Sequence, residues 1–240
     1  MKIKKLVLIL FIFFFIAGCG DYFMICSLYP FYLKKNITLA EGTDGGIVGN
    51  WNAKPIKSDA NADFLWKIAD STCIWNIQRT TSREKITTKT GSFDGDFESF
   101  YIVKLTGNSP DTTIYQFKLV VFWVNKVLYG DFTPINNAAI QNSQMAKDNY
   151  LPVHTLARLS IEKNELKVSW LNYQTMKSMI EEKRVRIKFR WIPDLNRFVL
   201  TASSAELTAM IERYGSEKRF IDWDNQPAMM KLTRVNTSKP

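Results

Sequence analysis

Apolar and polar residues alternate with a period of two along most of the chain from about residue 46 onward, which predicts a protein built largely of β-strands. The first expected strands are Ile47–Asn52, Cys73–Arg79, Phe97–Leu105 and Ile114–Phe122, the last passing through a tight turn near Asn125-Lys126 into Val127–Phe132. Val153–Ile161 follows, with His154, Arg158 and Ser160 on one parity and Val153, Thr155, Ala157, Leu159 and Ile161 on the other. Glu162–Glu165 turns the chain into Leu166–Leu171. The cleanest alternation is Val185-Arg186-Ile187-Lys188-Phe189-Arg190-Trp191, apolar at every odd position and cationic at every even one. It predicts Ile187, Phe189 and Trp191 in a core and Arg186, Lys188 and Arg190 in water. Pro193–Asn196 leads into Arg197–Thr201, and Met229–Val235 is the last expected strand.

Two segments switch to helical spacing. Asn172–Lys183 can be capped by Asn172 and places Met176, Met179 and Ile180 on one face. Ser203-Ser204-Ala205-Glu206 has the form of a capping box, followed by Leu207, Met210, Ile211 and Tyr214 at helical spacing and by Gly215 as a stop. The expected fold class is therefore mainly β with two short helices, the strands joined by short hairpins into an antiparallel barrel-like or strongly curved sheet. Gly49-Asn50-Trp51 resembles the Gly-x-Trp that opens the first strand of lipocalin-like barrels. The stretch from Tyr115 to Tyr214, with Leu151-Pro152-Val153-His154-Thr155 and Leu200-Thr201-Ala202-Ser203, resembles exported bacterial proteins of uncharacterised function, which implies a shared fold and no activity.

The N-terminus carries the strongest motif. Lys2, Lys4 and Lys5 precede an apolar run from Leu6 to Ile16, and the small residues Ala17 and Gly18 come before Cys19. Ile16-Ala17-Gly18-Cys19 resembles the lipobox of bacterial lipoproteins. The resemblance implies a signal peptide over 1–18, cleavage before Cys19, and a diacylglycerol on the Cys19 sulfur with the new N-terminus acylated. Gly20 in place of Asp makes the outer membrane, facing the periplasm, the implied destination in a host that has one. Residues 19–45 then read as a lipidated tether, apolar and aromatic as far as Leu33 and polar from Lys34 to Asp44, with the aromatic part at the membrane interface. Residues 46–240 read as a single domain. The alternative is one hydrophobic span from Leu6 to Leu33, which Asp21 and Pro30 oppose.

Composition adds a basic balance. The net charge of +9 falls to +6 once the three lysines ahead of Cys19 are removed. Outside the cytoplasm that favours anionic lipid, glycan or an envelope protein as partner and disfavours nucleic acid. Arg184, Arg186, Lys188 and Arg190 form a cationic stripe that reads either as a binding surface or as a solvated strand face paired with nearby acids. Cys26 and Cys73 are left after Cys19, a number that permits one disulfide in an oxidising compartment; two unpaired buried thiols are the other reading.

Chemistry-bearing patterns are sparse. His154 is the sole histidine, so no His-pair metal site and no His/Cys cluster is expected; it reads as a general base or as a hydrogen-bonded strand residue. Asp94-Gly95-Asp96 has a fragment of a calcium loop without its ladder of ligands and reads as a turn. No nucleophile elbow and no glycine-rich phosphate loop occurs, so neither cofactor nor enzymatic role is expected. The seven tryptophans either fill a core or line an apolar cavity. The sequence thus points to a membrane-anchored structural or interaction protein of the cell envelope, with a carrier of an apolar or lipidic ligand as the alternative.

Overall fold

The computed structural model describes residues 24–37, 44–56, 73–82, 85–88, 91–94, 98–106, 113–137, 153–193, 197–226 and 229–235. Thirteen strands are described: β1 Cys26–Ser27, β2 Gly49–Pro55, β3 Ile74–Ser82, β4 Lys85–Thr88, β5 Gly91–Asp94, β6 Glu98–Thr106, β7 Thr113–Val124, β8 Val127–Asn137, β9 His154–Glu162, β10 Glu165–Trp170, β11 Phe189–Ile192, β12 Arg197–Leu200 and β13 Met229–Arg234. The helices are α1 Asp44–Ile47, α2 Tyr173–Glu181 and α3 Ser204–Tyr214.

Eight strands close into an antiparallel barrel in the order β2-β3-β6-β7-β8-β9-β10-β13, with β13 returning to β2. Neighbours in the barrel follow one another in sequence, apart from two insertions: the β4–β5 hairpin, and the run from α2 to α3 between β10 and β13. The expected antiparallel, barrel-like, mainly β fold with two short helices is what the chain forms, those helices being α2 and α3. Local chemistry accounts for the turns. Asn125 and Lys126 take φ of 49° and 64°, the geometry of a two-residue hairpin whose twist matches that of the strands.

Each barrel strand sends alternate residues inward, so the interior is filled by Trp51 and Ala53, Trp75 and Ile77, Val103 and Leu105, Leu119 and Val121, Leu128 and Phe132, Ala157 and Leu159, Val168 and Trp170, and Met230 and Leu232. Trp75, Trp170 and Phe132 meet with ring centroids 5.6–6.3 Å apart. Trp51 donates its indole N–H to the Ile47 carbonyl at 2.8 Å. Arg234 lies over the Trp51 ring at 4.6 Å and donates to the carbonyls of Val48 and Gly46. Gly49 has φ of 141° where its Cα faces that guanidinium, a conformation and a spacing that a side chain would disturb.

A second core covers the outside of β7, β8 and β9. Val120, Phe122, Val124, Tyr129 and Leu156 pack there against Met176 and Met179 of α2, Leu207, Met210 and Ile211 of α3, and Phe198 and Leu200 of β12. Burial on both faces explains why β7 reads as a continuous apolar run from Leu119 to Val124. Asn172 caps α2 through the N–H groups of Gln174 and Thr175, and Ser203 and Glu206 form the reciprocal capping box of α3, both as the sequence suggests. Gly215 ends α3 in an ordinary right-handed conformation, φ −68°. A Cβ there would stand 2.6 Å from the Tyr129 hydroxyl and 2.7 Å from the Ile211 carbonyl, so close packing explains this glycine.

Two expectations change, and of the two readings of the cysteines one is met. The segment after Cys19 does not read as a tether over its described part: Ile25 and Phe31 are fully buried in the second core, and β1 lies between β9 and β12. The domain therefore includes residues well before Gly46. The strand expected over Val185–Trp191 is confined to Phe189–Ile192, and Phe189 and Trp191 are 44% exposed. β11 pairs only with β12, as the outer strand of the β1-β12-β11 extension, so its apolar side overhangs the rim of the core. Cys26 and Cys73 are both free thiols; Cys73 lies inside the barrel, whereas Cys26 sits in the extension and points its sulfur at the Met24 carbonyl. The centre of the Asp94-Gly95-Asp96 turn, together with Trp66, lies outside the described residues.

Candidate functional surface

The most concentrated polar chemistry on the described residues is at the join between the barrel and the N-terminal segment. Asp131 on β8 is 1% exposed, on the outward parity, in a strand otherwise packed on both sides. Its Oδ2 accepts the Phe31 N–H at 2.8 Å. Its Oδ1 lies 2.7 Å from His154 Nδ1 and accepts the Thr133 hydroxyl at 3.3 Å. Thr133 Oγ1 is also 3.0 Å from His154 Nδ1. Hydroxyl and carboxyl therefore address the same ring nitrogen. A nucleophile–histidine–acid relay needs them on opposite nitrogens, so Thr133 is not placed as a nucleophile for His154, and the contacts made by Nδ1 match the hydrogen-bonded strand reading. What the cluster does is fasten the first described segment to the barrel wall.

That segment leads into the extension. Leu28 donates its N–H to the Leu200 carbonyl at 3.0 Å, Ser27 stands beside Leu200 in parallel register, and Leu200 stands opposite Phe189. Leu28 and Tyr29 are exposed at 37% and 50%. Phe189 and Trp191 on β11 are also exposed, so in and beside the small β1-β12-β11 sheet four large apolar side chains stand partly in water.

The cationic residues expected to form one strand face are divided by the structure. Arg184 is half-buried behind α2, its Nε 2.8 Å from Glu182 and its Nη2 donating to Ser178 Oγ. Lys188 is exposed and lies 2.9 Å from Glu206 on α3. The Glu206 carboxyl is held at about 2, first by the Lys188 ammonium and then by the N–H and hydroxyl of Ser203. Arg186 and Arg190 are exposed and have no acidic partner among the described residues. Arg186 lines a cleft of about 510 Å³ between residues 183–186 and α3, with Lys183, Arg184, Arg213 and the single acid Glu206. The stripe is thus in part a paired face, as one reading had it, and in part an unneutralised basic edge beside exposed aromatics. Lys183, at the edge of the stripe in the sequence, lines the same cleft, and Arg213 of α3 joins it from a position that no strand periodicity would reveal.

Cys19 lies outside the described residues. Among the described residues no cluster of His, Cys, Asp and Glu suited to a metal ion occurs, and no helix is long and apolar enough to cross a membrane. No family model, no curated protein and no solved structure matches the chain.

Proposed function

We propose that the chain is an exported lipoprotein of the bacterial cell envelope, anchored through Cys19, that works as a structural or interaction protein through its outer surface. The anchor rests on Ile16-Ala17-Gly18-Cys19 behind a basic and apolar leader. The observation that carries the choice of surface over interior is the packing of the barrel. An eight-stranded barrel has room either for its own side chains or for one small ligand. Here Trp51, Trp75 and Trp170 are at most 2% exposed, and Trp75 and Trp170 meet Phe132 in edge-on and tilted contacts across the inside.

A carrier of an apolar ligand remains as a second reading on one observation: the Trp75 indole N–H is buried without a partner among the described residues. A ligand with a hydrogen-bond acceptor would satisfy it. Intact mass spectrometry of the protein extracted in mild detergent tests both readings. The proposal expects a mature chain beginning at Cys19 with the mass of a diacylglycerol and an acyl chain, lost in Cys19→Ser, and no retained small molecule. A Cys19→Ser product with unchanged lipidated mass overturns the anchor; a co-purifying apolar ligand favours the carrier.

A further inference from the structure

We propose that the β1-β12-β11 extension is a membrane-docking face, seating Tyr29, Phe189 and Trp191 in the interface of an anionic bilayer with Arg186 and Arg190 against its headgroups. The inference rests on the anchor reading and adds to it an orientation. The first argument is reach. Only Gly20–Phe23 separate Cys19 from Met24, and five residue steps span at most roughly 18 Å even fully extended. From Met24 to Ser27 is about another 10 Å of strand, and β12 and β11 follow at about 4.8 Å each. An anchor at Cys19 therefore holds this extension, rather than a remote part of the molecule, near the bilayer.

The second argument is chemical. Tyr and Trp concentrate at the membrane–water interface because their rings are apolar with a polar tip, and the exposed Tyr29 and Trp191 are of this kind. Arg190 lies between Phe189 and Trp191 on β11, on the other face of that edge strand, and Arg186 lies in the cleft against α3; neither has an acid within ion-pair distance among the described residues, whereas Lys188 and Arg184 are matched by Glu206 and Glu182. An unmatched cation near an anionic leaflet raises partition roughly fivefold. The pattern of paired and unpaired charge thus leaves the positive excess on the aromatic edge. Lys183 and Arg213 extend it into the adjoining cleft.

Tryptophan emission tests the orientation. Trp51, Trp75, Trp170 and Trp223 are buried, Trp123 is half-buried on β7, and Trp191 is the most exposed of the described tryptophans. The full-length protein is reconstituted into vesicles containing phosphatidylglycerol with brominated acyl chains, and quenching is compared with that in unbrominated vesicles. The expected result is a quenched component that disappears in Trp191→Phe and persists in Trp123→Phe. In the Arg186→Gln, Arg190→Gln double variant it should shrink about as much as 0.5 M salt shrinks it in the parent. Absence of quenching, quenching unchanged in Trp191→Phe, or quenching lost in Trp123→Phe instead overturns the docking face. The intact mass of the same sample separates the two readings: a lipidated chain without Trp191 quenching refutes the orientation alone. An unlipidated chain that leaves the vesicles refutes the anchor and the orientation with it.

Discussion

Replacing Asp131 by Ala should loosen the N-terminal segment and cost the whole domain about 2–4 kcal/mol. The Asp131 carboxyl is almost wholly buried and serves three donors: the Phe31 N–H, the Thr133 hydroxyl and the His154 ring. Phe31 is fully buried, so its amide finds no water when the carboxyl is gone, and an unsatisfied buried donor costs about 1–3 kcal/mol. His154 is 17% exposed on its side chain, so solvent can take over part of what it loses, leaving about 1 kcal/mol for that link. Asp131→Asn keeps a carbonyl oxygen for one donor and should cost about 1–2 kcal/mol. Urea melts of the detergent-solubilised protein give the free energies, and hydrogen exchange at the Phe31 amide locates the effect. Exchange should accelerate there more than at the barrel amides of β3 and β6. An Asp131→Ala variant that melts within 0.5 kcal/mol of the parent, or whose Phe31 amide stays protected, would refute the assignment of Asp131 as the fastener.

Three further outcomes are expected. Burial pushes the Cys73 thiol up to about 11 and also raises Cys26, so neither should react with a thiol reagent at pH 8 until the chain is unfolded; denaturation should then release two reactive thiols if Cys19 is lipidated, and three if it is not. Glu206 titrates at about 2 in the folded chain against an ordinary 4.5, so its contribution is complete above 4.5 and is lost as the pH falls towards 2; the stability gap between the parent and Glu206→Gln should close over that interval, and a gap independent of pH would contradict the Lys188 and Ser203 contacts. Phe189→Ala should cost only about 1–2 kcal/mol because nearly half of the ring is already in water, while Leu200→Ala, fully buried directly across the hairpin, should cost about 2–5 kcal/mol; melts that rank them the other way would mean that β11 lies inside the core after all.

The barrel strands and both long helices were legible because each carries its signal locally. Period-two alternation from Trp75 to Gln78 or from Val153 to Ile161 states which face is apolar, and Asn172 and Ser203 with Glu206 state where helices start. Alternation does not name a partner. Closure of β10 on β13 and of β13 on β2 is set by register over long sequence separations, and no local residue announces it. Nor did the pattern show that the apolar side of Phe189 and Trp191 belongs to an outer strand, since a strand with one neighbour and a strand with two share the same alternation. β1 escaped for another reason: a two-residue strand has no periodicity, and Met24–Tyr32 resembles membrane-seeking sequence in composition. Asp131 was hidden in the same way. An acid between Gly130 and Phe132 looks like a solvated outward position unless one knows that Phe31 crosses over it.

The position of β1 also changes what an anchor would do. β9 has one lateral side to share, and β10 occupies it from Ala157 to Glu162 while β1 takes His154 and Thr155. β12 and β11 hang on β1, so the extension is joined to the barrel through the N-terminal segment. A flexible tether from Cys19 to Gly45 would let a domain wander about 28 Å from its lipid, and the five steps from Cys19 to Met24 allow about 12 Å. On the anchor reading, the difference decides which partners are reachable. A protein on the long tether could meet components far from its own leaflet in any orientation. A protein whose sheet begins seven residues from the lipid, at Cys26, is held against that leaflet with one face, and it can engage only what comes to the membrane surface or lies on the exposed side of the barrel.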